Sequence, residues 1–147
     1  MKSIIYNIST IELEEHMLKR VKCVEFKWNW KNLSYNNNLT WKVVEANLDK
    51  EWDWYGLSRN EKVATWEIVE ANPDKHWNWF GLSENPSVTW DIVLNNPGRP
   101  WVYRGLSINP CVTWHIVQAY PDKPWDWDGV EQLLGFLLFL FKYLYIL

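Results

Sequence analysis

The sequence is poor in the residues that build metal centres and disulfide frameworks. Two of its 147 residues are cysteine and three are histidine. Cys23 and Cys111 lie far apart, and neither has a second ligand at a metal-binding spacing. We therefore expect both to be reduced thiols that fill the core. The histidines, His16, His76 and His115, are scattered along the chain, so the sequence predicts no metal site.

A large excess of one charge is also lacking. The formal net charge is −3 at pH 7, and positive and negative side chains are interspersed. Nucleic-acid-binding proteins carry a clustered basic surface, so we expect no nucleic-acid partner. Residues 1–7 lack the charged and apolar regions of a secretory signal, so we do not expect export by that route.

No signature of a common active site is present in the sequence. It contains no glycine-rich phosphate loop, no Gly-x-Ser-x-Gly and no His-Glu-x-x-His. Recurring acids such as Glu67 and Asp91 fall in expected first helical turns, where the helix dipole favours them. We therefore expect a protein that is not an enzyme and has no catalytic residues and no cofactor.

Tryptophan is present in excess, with thirteen residues that recur at intervals of about 24 residues. One series consists of Trp41, Trp66, Trp90 and Trp114. The second series, called here the linker tryptophans, consists of Trp28, Trp52, Trp77, Trp101 and Trp125. Repetition at such a period is typical of stacked units that cannot bury their apolar faces alone.

Each unit contains two expected helix starts. In one, threonine precedes tryptophan, and in the other, asparagine or aspartate follows a linker tryptophan. Such side chains accept hydrogen bonds from the free N–H groups of a first helical turn. The threonine caps are Thr40, Thr65, Thr89 and Thr113. The other caps are Asn29, Asp53, Asn78 and Asp126, with Val102 as an exception.

The expected helix ends recur as well. An asparagine stands about seven residues after most caps, and proline often follows it, which removes the α conformation. Helices of about two turns are unstable alone, so neighbouring units must stabilise one another. The sequence thus predicts an all-α solenoid of paired short helices. Glycines at the third helical position predict close helix approach there: Gly56, Gly81, Gly105 and Gly129.

The repeated phrase is Asn-Pro-Asp-Lys-(Pro/His)-Trp-(Asp/Asn)-Trp, followed by Gly-Leu-Ser-x-Asn-Pro-x-Val-Thr-Trp-x-Ile-Val. It resembles the tryptophan-rich tandem repeats of giant, mimivirus-like DNA viruses, over roughly residues 28–130. The resemblance implies a viral repeat protein in the cytoplasm of an infected cell or in the virion, and it brings no catalytic residues. The most divergent copy has Gly98 in place of aspartate and Tyr103 in place of tryptophan.

Three segments are expected. Residues 1–27 form an N-terminal capping helix and connector, because Ser9 and Glu12 make a capping box ahead of an apolar stripe. Residues 28–130 form the tandem repeats. Residues 131–147 form an apolar C-terminal helix.

Three hypotheses account for the C-terminal segment. It is a membrane anchor, a helix that covers the last repeat or pairs with another subunit, or a disrupted repeat. Residues 133–147 would make a helix of about 22 Å, shorter than a hydrocarbon core of about 30 Å. The candidate membrane or interface residues are Leu133, Leu134, Phe136, Leu137, Leu138, Phe139, Leu140 and Phe141.

A candidate interaction surface combines aromatic and basic residues that recur in the units. Exposed aromatics are common anchors of protein interfaces, and a one-sided row of cations could bind an acidic partner. The candidates are Trp54, Trp79, Trp127, Lys50, Lys75, Arg99 and Lys123. For the tryptophans that follow the threonine caps, by contrast, we expect packing in the core.

We therefore predict a non-enzymatic scaffold for protein interaction or for virion or host-cell architecture, with an unidentified protein partner. One alternative is a membrane-tethered repeat protein anchored by its C-terminal helix. A weaker alternative is a carbohydrate-binding module that uses exposed tryptophans. Self-association remains open.

Membrane flotation distinguishes the hypotheses for the C-terminal segment. If residues 133–147 are an anchor, the full-length protein floats with vesicles and resists carbonate extraction, while a chain ending at Gln132 stays soluble and helical. If they are a cap or an interface, the full-length protein is soluble. Truncation at Gln132 then lowers its melting temperature or breaks a dimer in size-exclusion chromatography.

Overall fold

The computed structural model describes residues 28–135, and this part of the chain is helical, without a β-strand. The predicted capping helix in residues 1–27 and residues 136–147 of the C-terminal segment lie outside the described residues. Short helices recur along the chain. They are α1 (Trp30–Leu33), α2 (Trp41–Glu45), α3 (Trp54–Arg59), α4 (Trp66–Ala71), α5 (Trp79–Glu84), α6 (Trp90–Asn95), α7 (Tyr103–Leu106), α8 (Trp114–Ala119) and α9 (Trp127–Leu134).

The helices begin at the expected residues, but the capping bonds differ between the two series. Asn29, Asp53 and Asn78 accept hydrogen bonds from first-turn N–H groups. Of the threonines, Thr89 alone caps its helix with its side chain, through a long 3.4 Å bond from the Ile92 N–H. The prediction of side-chain capping is therefore wrong for the other three threonines.

Two of the residues that make no capping bond, Thr65 and Asp126, have another polar group nearby. The backbone N–H of Glu67, followed by the Thr65 hydroxyl, lowers the pKa of the Glu67 carboxyl. Asp126 also makes no capping bond, and its Oδ2 lies 3.6 Å from Nε of Arg104.

The helices end at or just before the expected asparagines. Asn60, Asn72, Asn85 and Asn96 are C-caps, whereas α1 and α7 end earlier, at Leu33 and Leu106. At the ends of α2, α4 and α6 the asparagine amide donates back to the last turn, as from Asn72 Nδ2 to the Ile68 carbonyl at 2.9 Å; Asn47 and Asn96 do the same. The last described helix differs, because α9 continues to Leu134 and stops at Gly135, whose φ is 64°.

The odd-numbered helices pack directly on one another, α3 against α5 and α5 against α7. The glycines permit this approach. A Cβ on Gly81 would lie 2.8 Å from the Tyr55 carbonyl oxygen, and one on Gly105 would lie 2.8 Å from the Ser83 Cβ. The predicted close helix approach at these glycines is therefore confirmed.

Buried serines connect successive odd-numbered helices. Ser58, which is fully buried, accepts a hydrogen bond from the Asn78 backbone N–H at 2.8 Å. Ser34, Ser83 and Ser107 do the same for the next cap residue and also donate to the carbonyl four residues earlier in their own helix. One hydroxyl thus satisfies a backbone donor that the start of a helix leaves free.

Buried asparagines make a second set of connections. Asn109 Nδ2 donates to the carbonyl oxygens of Ser83 and Asn85 at 2.9 Å and of Val88 at 3.2 Å. Its Oδ1 accepts from the Cys111 N–H at 2.8 Å. Asn85 makes the equivalent bonds one unit earlier. These amides join the end of one odd-numbered helix to the loop of the preceding unit.

The apolar core runs along the described chain through both helix series. It contains one leucine or valine from each of α3, α5, α7 and α9: Leu57, Leu82, Leu106 and Val130. As predicted, Trp41, Trp66 and Trp90 are buried, while Trp114 in the last even-numbered helix is only partly buried. Cys111 is a free thiol of intermediate exposure with Sγ 3.1 Å from the Pro86 carbonyl, so its predicted place in the core is wrong.

Replacement of Gly81 by alanine tests the close approach of α3 and α5. The added methyl group meets a backbone oxygen, which cannot retreat without moving α3. Overpacking of this kind costs about 1–3 kcal/mol, against which alanine regains up to about 1 kcal/mol of helix propensity. We expect Gly81→Ala to lower the free energy of unfolding by about 1–2 kcal/mol in urea denaturation.

Gly98→Ala is the matched control, because no atom lies within 4 Å of a Cβ built at Gly98. We expect it to leave stability unchanged or to raise it by about 0.5 kcal/mol through the unfolded state. Equal effects of the two substitutions would show that α3 and α5 are not in contact at Gly81.

Candidate interaction surface

Two of the predicted interaction residues, Trp54 and Trp79, are packing residues. The Trp54 ring meets the Trp77 ring edge to face, with centroids 5.4 Å apart, and Trp79 meets Trp101 at 5.2 Å. Both Trp54 and Trp79 are partly buried against the core. Trp127 is the exception, because 50% of its surface is exposed.

Of the predicted basic residues, Lys50 and Arg99 lie beside tryptophan rings, and Lys50 and Lys75 are paired with the preceding aspartate. Lys50 Nζ lies 5.9 Å from the Trp30 ring centroid and 2.7 Å from Asp49 Oδ2. Lys75 Nζ lies 2.8 Å from Asp74 Oδ2. Arg99 follows a glycine instead of an aspartate, and its guanidinium lies 5.9 Å from the Trp79 centroid. Lys123 is exposed.

A different set of side chains lines a groove of about 550 Å³. The sequence analysis did not predict these residues. Residues of four successive units line it, beginning with Tyr35 and including Arg59, Glu84 and Ile108. The loops that follow the odd-numbered helices complete the lining with Asn37, Glu61, Lys62, Pro86 and Pro110. The groove therefore runs across the units and not within one of them.

Hydrogen bonds between units fix the polar side chains of the groove. The Tyr35 hydroxyl donates to Asp53 Oδ2 at 2.7 Å, and the Tyr55 hydroxyl donates to Glu84 Oε2 at 2.7 Å. Arg59 Nε lies 3.2 Å from the same Glu84 oxygen. The Glu84 side chain is only 5% exposed, so its charge is compensated inside the wall of the groove.

These contacts shift the pKa values of the groove residues. The hydrogen bond to Asp53 raises the pKa of Tyr35 to about 12, since ionisation would place two negative charges together. The same bond, with the N–H groups of Gly56 and Tyr55, lowers the pKa of Asp53. Burial, followed by the bond to Glu84, raises the pKa of Tyr55.

A sequence signal for the groove does exist. Tyr35, Arg59, Glu84 and Ile108 occupy the same position in successive units, directly before the repeated asparagine. This position differs in every copy, while the adjoining leucine, serine and asparagine recur in all four copies and the glycine recurs in three. A search for positions that vary between copies, instead of positions that recur, would have indicated this surface.

The remaining predicted residues do not join this groove. His76 is exposed, with its ring 5.7 Å from that of Trp54, and His115 is exposed on α8. Leu133 lies in α9 with intermediate exposure. The other candidates of the C-terminal segment, Phe136, Leu137, Leu138, Phe139, Leu140 and Phe141, lie outside the described residues.

The described part of the chain holds neither a cluster of metal ligands nor a membrane-spanning helix. In residues 28–135, no group of three or more histidine, cysteine, aspartate or glutamate side chains could hold a metal ion. Among the helices of this same range, none has the length and apolar character needed to cross a bilayer.

The chain matches no protein-family model, no curated protein and no solved structure. The resemblance to giant-virus repeats therefore stays a prediction.

Replacement of Tyr35 by phenylalanine tests the Tyr35–Asp53 bond. Because half of Tyr35 is exposed, solvent weakens this bond, and we expect Tyr35→Phe to cost about 0.5 kcal/mol of unfolding free energy at pH 7. The Asp53 pKa is depressed in the folded protein, so its contribution is present above pH ~4 and is lost as pH falls through the folded-state value. The Tyr35 pKa is raised, so its contribution is complete below pH ~10 and is lost as pH rises through about 12.

Urea denaturation of both proteins at pH 7 and pH 3 measures this difference, which should shrink at pH 3. Tyr103→Phe is the control, since the Tyr103 hydroxyl makes no hydrogen bond in the described chain. A stability difference that is the same at both pH values would contradict the assignment.

Proposed function

We propose that the protein is a non-enzymatic scaffold, a solenoid of 24-residue helical units whose groove binds an extended segment of a partner protein. The observation that carries the proposal is the distribution of recurring and variable residues. Recurring residues form the connections inside the molecule, as the serine and asparagine bonds do. The variable position before the asparagine faces the groove.

The dimensions of the groove fit an extended peptide. Its lining runs from Tyr35 to Pro110, across four units. Packed helices lie about 8–10 Å apart, so the lining extends for about 25–30 Å. An extended chain rises about 3.3 Å per residue, which gives a ligand of about eight residues. Repeat proteins bind partners on such continuous surfaces.

The two ends of the groove differ in chemistry, so the groove favours a ligand whose two ends differ in the same way. Ile108, Pro86 and Pro110 make one end apolar. Arg59 and Lys62 are exposed toward the other end together with one free carboxylate, Glu61, while the Glu84 carboxylate is already engaged with Tyr55 and Arg59. The groove therefore favours a segment with an acidic residue near the Tyr35 end and apolar residues near the Ile108 end.

Selection from a random peptide library, followed by fluorescence anisotropy, tests this function. We expect selected peptides to carry the acidic and apolar ends described above. Lys62→Glu should weaken their binding about tenfold, because it reverses a charge in the groove without breaking an internal side-chain contact.

Lys123→Glu makes the same charge change outside the groove and should leave peptide binding unchanged, and circular dichroism should show both variants folded. The proposal fails if the library yields no groove-dependent peptide, or if the two variants weaken binding equally.

A further inference from the structure

Arg59 lies in the second of the four units that line the groove, and the next unit holds one side of its guanidinium. The Arg59 Nε lies 3.2 Å from Glu84 Oε2, and the Glu84 side chain is 5% exposed. The Tyr55 hydroxyl donates to the same Glu84 oxygen at 2.7 Å. Glu84 is therefore fixed in position, and an ion pair with a fixed carboxylate restricts the orientation of the guanidinium.

The remaining donors of Arg59 are accessible to a ligand. An arginine has five N–H donors in one plane, and Glu84 lies beside the one on Nε. The Arg59 side chain is 56% exposed, so the N–H groups on its two Nη atoms can bind a second group from the groove. Parallel N–H groups match the two oxygens of a carboxylate and form a bidentate ion pair with it.

Backbone N–H groups add donors at the same end of the groove. At the apolar end the residue after the repeated asparagine is Pro86 or Pro110, and proline has no N–H group. Asn37 and Glu61 hold the same position at the other end. Their backbone N–H groups donate to no atom of residues 28–135. These N–H groups are therefore available to the carbonyl oxygens of a bound chain.

The charges around Arg59 favour a ligand group with a single negative charge. Arg59 and Lys62 bring two positive charges to this part of the lining, and Glu61 and Glu84 bring two negative charges. A carboxylate adds one negative charge, whereas a phosphate monoester adds about 1.5 to 2 at pH 7. Glu61 is exposed and forms no ion pair in the described chain, so its charge repels a phosphate more strongly than a carboxylate.

We propose that Arg59 is the specificity-determining residue of the groove and binds the side-chain carboxylate of an aspartate or glutamate in the partner segment, with Glu84 and Tyr55 as its positioning residues. The lining continues past Arg59 in both directions, to Tyr35 and to Ile108, so the carboxylate belongs to an internal residue of the segment and not to a chain terminus. This inference rests on the proposed peptide-binding function and names the chemical group that the groove recognises.

Three peptide libraries test the proposal. Their peptides have about eight residues, are acetylated and amidated at the termini, and contain one aspartate, one asparagine or one phosphoserine and no other ionisable residue. We expect the tightest binders in the aspartate library. Replacement of that aspartate by asparagine should weaken binding about tenfold in isothermal titration calorimetry. Arg59→Lys should weaken binding by about the same factor, because lysine keeps the charge but not the planar fork.

Glu84→Gln and Glu61→Gln separate positioning from charge, because each removes one negative charge from the groove. Glutamine at position 84 keeps an oxygen that accepts the Tyr55 hydroxyl but loses the ion pair with Arg59. We expect Glu84→Gln to weaken binding of the aspartate peptide about threefold, whereas Glu61→Gln should leave it unchanged or strengthen it. Tyr55→Phe changes no charge and should weaken binding as Glu84→Gln does, which provides the comparison if Glu84→Gln does not fold. Circular dichroism shows which variants are folded.

The outcomes distinguish this inference from the function on which it rests. If none of the libraries yields a peptide that binds the groove, the peptide-binding function fails and the inference fails with it. Peptides that bind equally well with aspartate or asparagine, or more tightly with phosphoserine, would leave the function standing and overturn the assignment of a carboxylate to Arg59. Binding that is strengthened by Glu84→Gln, or unchanged by Tyr55→Phe, would overturn the positioning role.

Discussion

The hydrogen bonds of the buried asparagine amides are the interaction on which the described structure depends. The odd-numbered helices are too short to pair all of their own backbone groups, and the loops between helices are packed against neighbouring units. Asn85 and Asn109 are completely buried, and each donates to carbonyl oxygens of the preceding unit and accepts from its own loop. A buried carbonyl without a partner costs about 1–3 kcal/mol. Replacement of one such asparagine would therefore leave several groups unpaired at once.

Aromatic packing joins the two series of helices, whereas the hydrogen bonds above act within the odd-numbered series. The serine and asparagine bonds fix the odd-numbered helices against one another, and the linker tryptophans then join them to the even-numbered helices. The indole Nε1 of each of Trp52, Trp77, Trp101 and Trp125 donates to a carbonyl five residues earlier. The ring thus ends one helix with a hydrogen bond while its faces and edges contact two others. Phenylalanine could make the ring contacts but has no N–H group to donate, which explains why the linker residue recurs as tryptophan.

Local features of the fold could be predicted from the sequence, whereas contacts between units could not. Helix starts follow from cap residues next to tryptophan, and helix ends follow from asparagine before proline, because both depend on neighbours in the chain. The threonines without a capping bond show the limit of this reasoning, since Thr40, Thr65 and Thr113 precede their helices as expected and yet make no side-chain cap. The hydrogen bond that the Asn78 N–H donates to the Ser58 hydroxyl crosses between units, and these partners are known only once α3 and α5 are packed. The groove was missed for the same reason, because its lining residues come together only in the stacked helices.

The regular geometry of the indole rings also has an optical consequence. Neighbouring rings in the described chain lie 5.1–5.5 Å apart at angles that repeat from unit to unit. Electronic transitions of chromophores at this separation couple, so absorption of light is shared between rings. The far-ultraviolet circular dichroism spectrum should therefore contain a strong aromatic couplet superimposed on the helical signal. Excitation energy should also move along the row of tryptophans and depolarise their fluorescence faster than the molecule rotates.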